Sequence, residues 1–189
     1  AVAPYGGTTR LMGTNPIGFA RPRPGSKPFI FDFATSAAAR GEVELKRLSG
    51  EPIPEGWGID ATGQPTTDPT EALSGALLPF GGHKGSALSM MVELIAGPLI
   101  GELTSKQVAA LGHQDNGPPS GGELFIVLDP FAVSPTALAA GEGFFADALS
   151  QPGLRLPSER RYTARAESTR TGVSVPVDLL DQIRSLIHS

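Results

Sequence analysis

Four groups of residues in this 189-residue sequence have the types and spacing to act on an anionic ligand or to move a proton. The first is Gly81-Gly82-His83-Lys84-Gly85, which leads into a long apolar run. Glycines let the backbone approach a ligand closely, the free N–H groups and dipole of a helix start attract an anion, and Lys84 adds a full charge beside them. A phosphate or carboxylate suits such a place, but so does a plain glycine turn with a solvated lysine and a capping histidine, and spacing alone leaves both readings open. The turn is not a P-loop, because the glycine spacing and the residue after the lysine are wrong.

The second is Asp32, which interrupts Phe29-Ile30-Phe31-Asp32-Phe33-Ala34. A carboxylate in a buried strand is costly unless it is paired or hydrogen-bonded, and orienting a catalytic histidine is one use for it. The commoner alternative is an aspartate that caps the Thr35-Ser36 turn or faces solvent at a strand end. The third is Arg160-Arg161-Tyr162-Thr163-Ala164-Arg165, where Arg161 and Arg165 share a face if the segment is helical. Guanidinium forks match a phosphate monoester such as the 2′-phosphate of NADP, although charge runs are more often solvated faces. The fourth is the polar turn Gly13-Thr14-Asn15-Pro16, whose side chains either meet a ligand or stabilise the turn. His113 and His188 are given no role, and no metal-ligand spacing, G-x-S-x-G elbow or G-x-G-x-x-G fingerprint is present.

These residues need elements to hold them. Residues 15–20 and 28–34 read as two strands joined by a turn-rich hairpin connection. Residues 37–48 read as a helix capped by Thr35-Ser36 and closed by Gly50. Residues 51–70 are rich in Pro, Gly, Asp and Thr and read as surface turns with one short strand; residues 70–77 follow Asp68-Pro69 as a short helix. From Ser86 onward, Leu88, Met91, Val92, Ile95 and Leu99 recur at helical spacing and the other face is also mostly apolar, so this helix is expected to be buried nearly all round. Strands are expected at 123–128 and 172–175, helices at 135–149 and 177–187, and a basic helix or loop at 159–166. The irregular order of strands and helices indicates an α/β domain of the α+β type, with a mixed sheet.

Length favours one domain. The net charge of -4, spread along the chain, favours a small-molecule partner and argues against nucleic acid. No cysteine is present, which removes disulfides and thiolate sites and favours a cytoplasmic setting. The apolar stretch 86–100 contains Glu93 and Pro98, so it reads as a core helix and not a membrane span. The opening residues 1–7 lack an initiator Met and read as the middle of a loop, as in a fragment.

Gly13-Thr14-Asn15-Pro16-Ile17, Phe31-Asp32-Phe33-Ala34-Thr35-Ser36 with Ala39-Arg40-Gly41, Gly50-Glu51-Pro52-Ile53-Pro54-Glu55-Gly56-Trp57, Thr66-Thr67-Asp68-Pro69 and Gly81-Gly82-His83-Lys84-Gly85 resemble the malate/L-lactate dehydrogenase family in order and spacing. The resemblance fades through residues 105–121 and near the C-terminus. It implies a homodimeric enzyme with a mixed, largely antiparallel sheet flanked by helices and a cofactor-binding domain that is not a Rossmann fold. Such an enzyme reduces a 2-oxo or cyclic 2-imino carboxylate with NADPH or NADH. NADP is favoured here by the arginine cluster, and NAD is the alternative.

By the same resemblance, Asp32 is the catalytic residue, relayed to a Ser-His motif whose histidine protonates the substrate. The cofactor contacts would be Thr14, Asn15, Ile30, Phe31, Asp32, His83, Lys84, Arg160, Arg161 and Arg165. Two departures stand out: Ser158 replaces a common Gly, and Ser86 stands where several hydroxyacid dehydrogenases have Tyr, which leans toward reductases of Δ1-pyrroline-2-carboxylate and Δ1-piperideine-2-carboxylate. Residues 1–189 thus match the C-terminal part of the family's enzymes. The N-terminal region with the Ser-His motif and a substrate-binding Arg is missing from the match, and is expected as a separate chain or segment. The rival expectations are a malate-, lactate- or ureidoglycolate-type hydroxyacid dehydrogenase and a non-catalytic nucleotide-binding module.

Overall fold

The computed structural model describes residues 1–111 and 121–187; His113 and His188 lie outside the described residues. The chain divides into two compact units, residues 1–19 with 32–129 and residues 20–31 with 130–189. The hairpin of β1 (Ile17–Arg21) and β2 (Phe29–Phe33) carries the chain out of the first unit and back. The architecture is mixed α/β with small antiparallel sheets, as the order of the elements suggested.

In the first unit, β3 (Gly58–Ile59) lies between β4 (Pro65–Thr66) and β5 (Ala76–Leu77), antiparallel to both. Val2 bridges Met12 and Leu77, and these three pack with Ala38, Val43, Ile53 and Ala72 in one buried cluster. Helix α1 (Arg40–Ser49) supplies Val43 and ends on Gly50 in the left-handed region. Helix α2 (Pro69–Ser74) starts where the sequence signals it: the Asp68 carboxylate accepts from the Thr70 and Glu71 N–H groups, with Pro69 in the first turn,. The Arg10 guanidinium then donates to the carbonyls of Leu73 (2.6 Å) and Ser74 (2.7 Å) at the helix end,.

Several expectations are corrected. Helix α1 begins at residue 40 and not 37, because residues 35–37 run extended beside 78–80: Phe80 N–H donates to the Thr35 carbonyl at 3.1 Å and Ala37 N–H to that of Leu78 at 2.7 Å. Residues 51–70 are not all surface, since Ile53 and Ile59 are buried; two short strands form there instead of one. Helix α3 (His83–Ile95) starts three residues earlier than the apolar pattern does, and it is not buried all round: Met90, Met91 and Leu94 are exposed, Leu94 at 60%. Residues 123–128 form no strand, although Phe125 to Leu128 are nearly bare, Val127 at 90% exposure. An unbroken apolar run suits a strand with neighbours on both edges, and no described strand pairs with it.

In the second unit, the expected helix 135–149 is split into α6 (Ala137–Ala140) and α7 (Glu142–Leu149) at Gly141, after the single turn α5 (Pro130–Val133). Helix α8 (Glu159–Thr171) runs further than expected, residues 172–176 form no strand, and α9 (Val177–Ile187) occupies the predicted range. The hairpin is fixed to α7 by charge and ring contacts. Arg21 and Arg23 both donate to the Glu142 carboxylate, and the Arg23 guanidinium lies 4.1 Å from the ring centroid of buried Phe145,. Phe29 also meets that ring at 5.5 Å.

The Arg23 hydrogen bond, aided by Arg21, holds the Glu142 carboxyl below its usual range. A carboxyl whose folded pKa is depressed stabilises the fold above its unfolded pKa and loses that contribution as pH falls toward the folded value. Lowering the pH from about 5 to about 3 should therefore lower the thermal midpoint of the wild type more steeply than that of Glu142→Gln. Calorimetry across that window checks it, and parallel curves for the two proteins would contradict the assignment.

Candidate functional site

The glycine turn is built by backbone that side chains resist. Gly82 caps α3 at φ 63° and ψ −127°, outside the regions open to other residues. A Cβ at Gly85 would sit 1.8 Å from the Phe80 carbonyl oxygen, so the first helical turn passes directly over the segment that leads into it. The N–H groups of His83, Lys84 and Gly85 open the helix and point from its positive end. His83 and Lys84 are exposed. The His83 ring meets Tyr5 edge-on at 6.0 Å, and Lys84 has no ion pair among the described residues.

Asp32 stands on the neighbouring strand end. Residues 35–37 pair with 78–80 through a bridge of Ser36 to Pro79, and Phe33 meets Phe80 edge-on at 5.6 Å. This places the ends of β2 and of the glycine turn side by side within the first unit. The expectation of a buried, partnered carboxylate is corrected: Asp32 is exposed and accepts no hydrogen bond among the described residues. Among the described strands only β1 pairs with β2.

The 13–16 turn is clamped from two sides. Thr35, fully buried, donates its N–H to the Thr14 carbonyl (2.8 Å) and its hydroxyl to the carbonyls of Thr14 (3.1 Å) and Asn15 (3.0 Å). On the other side the Asn15 amide nitrogen donates to α3, at the Ser89 carbonyl (2.9 Å) and the Glu93 carboxylate (2.7 Å). The side-chain N–H groups of Asn15 thus point into the protein, and it is Thr14 whose hydroxyl and N–H are unpartnered among the described residues. Glu93 is a residue that sequence reasoning used only to exclude a membrane span; a lone carboxylate in an apolar helix was the available signal.

The second unit holds the arginines. Arg160, Arg161 and Arg165 are exposed on α8 with no ion pair among the described residues. At 100° per residue Arg161 and Arg165 share a flank and Arg160 does not. Tyr162, three residues before Arg165, docks on the hairpin: its hydroxyl donates to the Pro28 carbonyl at 3.0 Å, and the Lys27 ammonium lies 5.1 Å from its ring centroid. A shallow cavity of about 430 Å³ is lined there by Lys27, Tyr162, Thr163, Ala166, Glu167 and Arg170, and none of the three predicted arginines lines it. Ile30 contributes its carbonyl, which accepts the Ser158 hydroxyl at 2.8 Å; Phe31 meets Phe29 edge-on at 6.2 Å.

Residues 1–184 match the sequence profile of malate/L-lactate dehydrogenases. The chain belongs to the malate/L-lactate dehydrogenase family. It is 63% identical to a Δ1-pyrroline-2-carboxylate reductase of Ancylobacter novellus over 98% of this chain and 55% of that one. It is 41% identical to an NADP-linked (2R)-3-sulfolactate dehydrogenase of Chromohalobacter salexigens, again over 98% of this chain and 55% of the relative. Among solved structures it superposes on δ1-piperideine-2-carboxylate reductase from Pseudomonas syringae with a TM-score of 0.91, at 42% identity, over 98% of this chain and 56% of the other. The chain thus spans a little over half the length of the relatives it matches.

Both departures from the malate/L-lactate dehydrogenase pattern have a structural setting in this chain. Ser86 is buried, and its hydroxyl accepts the Tyr5 N–H at 3.0 Å, so the small side chain ties residues 4–6 to the start of α3. Ser158 has φ 66°, the left-handed region in which glycine is at ease; its bond to Ile30 offsets the strain. Replacing Ser158 with Ala should cost about 1 kcal/mol in urea unfolding, because the strain stays and the bond is lost. Replacing it with Gly should stay within about 0.5 kcal/mol, as relief and loss offset. A Gly variant as unstable as the Ala variant would show that strain plays no part.

Proposed function

We propose that this chain forms the cofactor-binding half of an NADPH-dependent reductase of a cyclic 2-imino carboxylate, Δ1-pyrroline-2-carboxylate or Δ1-piperideine-2-carboxylate, working as a cytoplasmic homodimer. The carrying observation is the 63% identity to a Δ1-pyrroline-2-carboxylate reductase across nearly the whole chain. Each unit, taken by itself, has a place suited to an anion: the start of α3 with Lys84 in the first, and Arg161 with Arg165, which have no ion pair among the described residues, in the second,. NADPH, when bound, supplies the hydride to the imine carbon. Thr14, whose hydroxyl and N–H have no partner among the described residues, is assigned to the nicotinamide side; Ile30, Phe31, Arg161 and Arg165 keep the cofactor roles that the family resemblance suggests, the two arginines for the 2′-phosphate.

Asp32 orients the proton donor. That donor belongs to sequence the relatives have outside the matched half, in this reading an N-terminal part with a Ser-His motif. Two features support it: an exposed carboxylate with no partner among the described residues, and the bare apolar run 125–128, which suits a strand from that part adding to its edge. The run would then be covered by the same segment that completes the site.

A second reading, a 2-hydroxyacid dehydrogenase, is favoured by the sulfolactate relative at 41% identity. Joining the chain to the N-terminal part of the Ancylobacter relative and following NADPH absorbance separates the readings: cyclic imino acids should be consumed, and pyruvate, oxaloacetate and sulfopyruvate much more slowly. Asp32→Asn should lower kcat about a hundredfold or more while NADPH affinity changes less than about threefold. Backbone amides of residues 124–128 should exchange slowly only in the joined protein. NADPH binding without turnover of any substrate would leave a non-catalytic nucleotide-binding module in its place.

A further inference from the structure

We propose that Glu93 is a positioning residue, holding the 13–16 turn in the shape that meets the nicotinamide side of the cofactor. This rests on the functional reading above. Within α3, Glu93 is the one acidic residue, set among Met90, Met91, Val92, Leu94 and Ile95. A half-buried carboxylate there is desolvated at a cost unless charge-assisted hydrogen bonds offset it.

Three segments meet on that carboxylate. Oε2 accepts from the Asn15 amide at 2.7 Å and from the Ser105 hydroxyl at 2.9 Å; Oε1 accepts from the Ser105 backbone N–H. Ser105 is the first residue of α4 (Ser105–Ala110), whose start is also fixed by a capping box of Thr104 and Gln107,. The 13–16 turn, α3 and α4 are thereby joined at one point.

The turn needs such a hold. Asn15 sits at φ 38°, a left-handed conformation that asparagine tolerates better than most residues but does not choose unaided. Gly13 records the same packing, for a Cβ there would lie 2.6 Å from Asn15 Oδ1 and 2.9 Å from Ser105 Oγ. With Asn15 held to α3 and the Thr14 carbonyl held by Thr35, the direction of the Thr14 hydroxyl and N–H is set by protein bonds before any ligand arrives.

Glu93→Gln places an amide NH2 group among three donors, and Glu93→Asp keeps the charge but falls one methylene short. In the joined reductase, Glu93→Gln should weaken NADPH affinity about tenfold, the size expected for one buried polar group left unpaired, with Glu93→Asp in between. The Asn15 side-chain amide resonances should shift in both variants. Asn15→Ala combined with Glu93→Gln should be no weaker than Asn15→Ala alone within about twofold, because the two act through one contact. Glu44→Gln, which removes an exposed pair with Arg47, is the control and should leave affinity unchanged.

A shifted Asn15 resonance with unchanged NADPH affinity would overturn the positioning role and leave the proposed function standing. Losses that add fully in the double variant would overturn it too. Should Glu93→Gln fail to fold by circular dichroism, the Glu93→Asp affinity and resonance decide alone. If the wild-type joined protein binds no NADPH, the functional reading falls by itself and the positioning role falls with it.

Discussion

The first unit turns on what a single buried hydroxyl amino acid does with its backbone and side chain. Thr35 sends its N–H and hydroxyl to the 13–16 turn and receives the Phe80 N–H on its carbonyl. It thereby holds the strand end that bears Asp32 between the turn that bears Thr14 and the segment that leads to His83 and Lys84. These bonds are shielded from water, where each counts for more than at the surface and where an unmade one is costly. No other described residue links all three pieces. Asp32, His83 and Lys84 are exposed and Thr14 is half-buried, while the residue that sets their spacing is fully buried.

That division between exposed groups and buried supports explains what could be read from the sequence. The glycine turn was legible because a backbone at φ 63° and a helix start packed against Phe80 leave few residue types to choose from. The cap at Asp68 and the stop at Gly50 were legible for the same local reason. The Thr35-Ser36 pair misled, because Ser and Thr hydroxyls cap helices often enough that the alternative, bonding a turn twenty residues earlier, leaves no local mark. The roles of Glu93 and Ser86 were hidden for the same cause: each depends on a residue more than seventy positions away.

Burial was misread in the opposite direction. The pattern of α3 and of residues 123–128 is that of elements covered on all sides, and in the described residues they are not. Apolar periodicity reports how much surface an element must bury and says nothing of what covers it.

The electrostatics of the second unit sort its cations by task. Arg21 and Arg23 share the Glu142 carboxylate and lie against the Phe145 ring, so one of their two charges is balanced and both groups are engaged within the fold. Arg161 and Arg165 have no ion pair among the described residues; Tyr162 and the N-cap Ser158 bond the hairpin, beside the contacts that Arg21 and Arg23 make with α7. Of the guanidinium groups on α8, that of Arg170 pairs with Glu167, while Arg160, Arg161 and Arg165 have no ion pair among the described residues. Desolvating a free guanidinium against a phosphate costs less than first breaking an internal ion pair. Together with the flank that Arg161 and Arg165 share, that difference in prior commitment is the physical ground for the proposal that these two meet the 2′-phosphate.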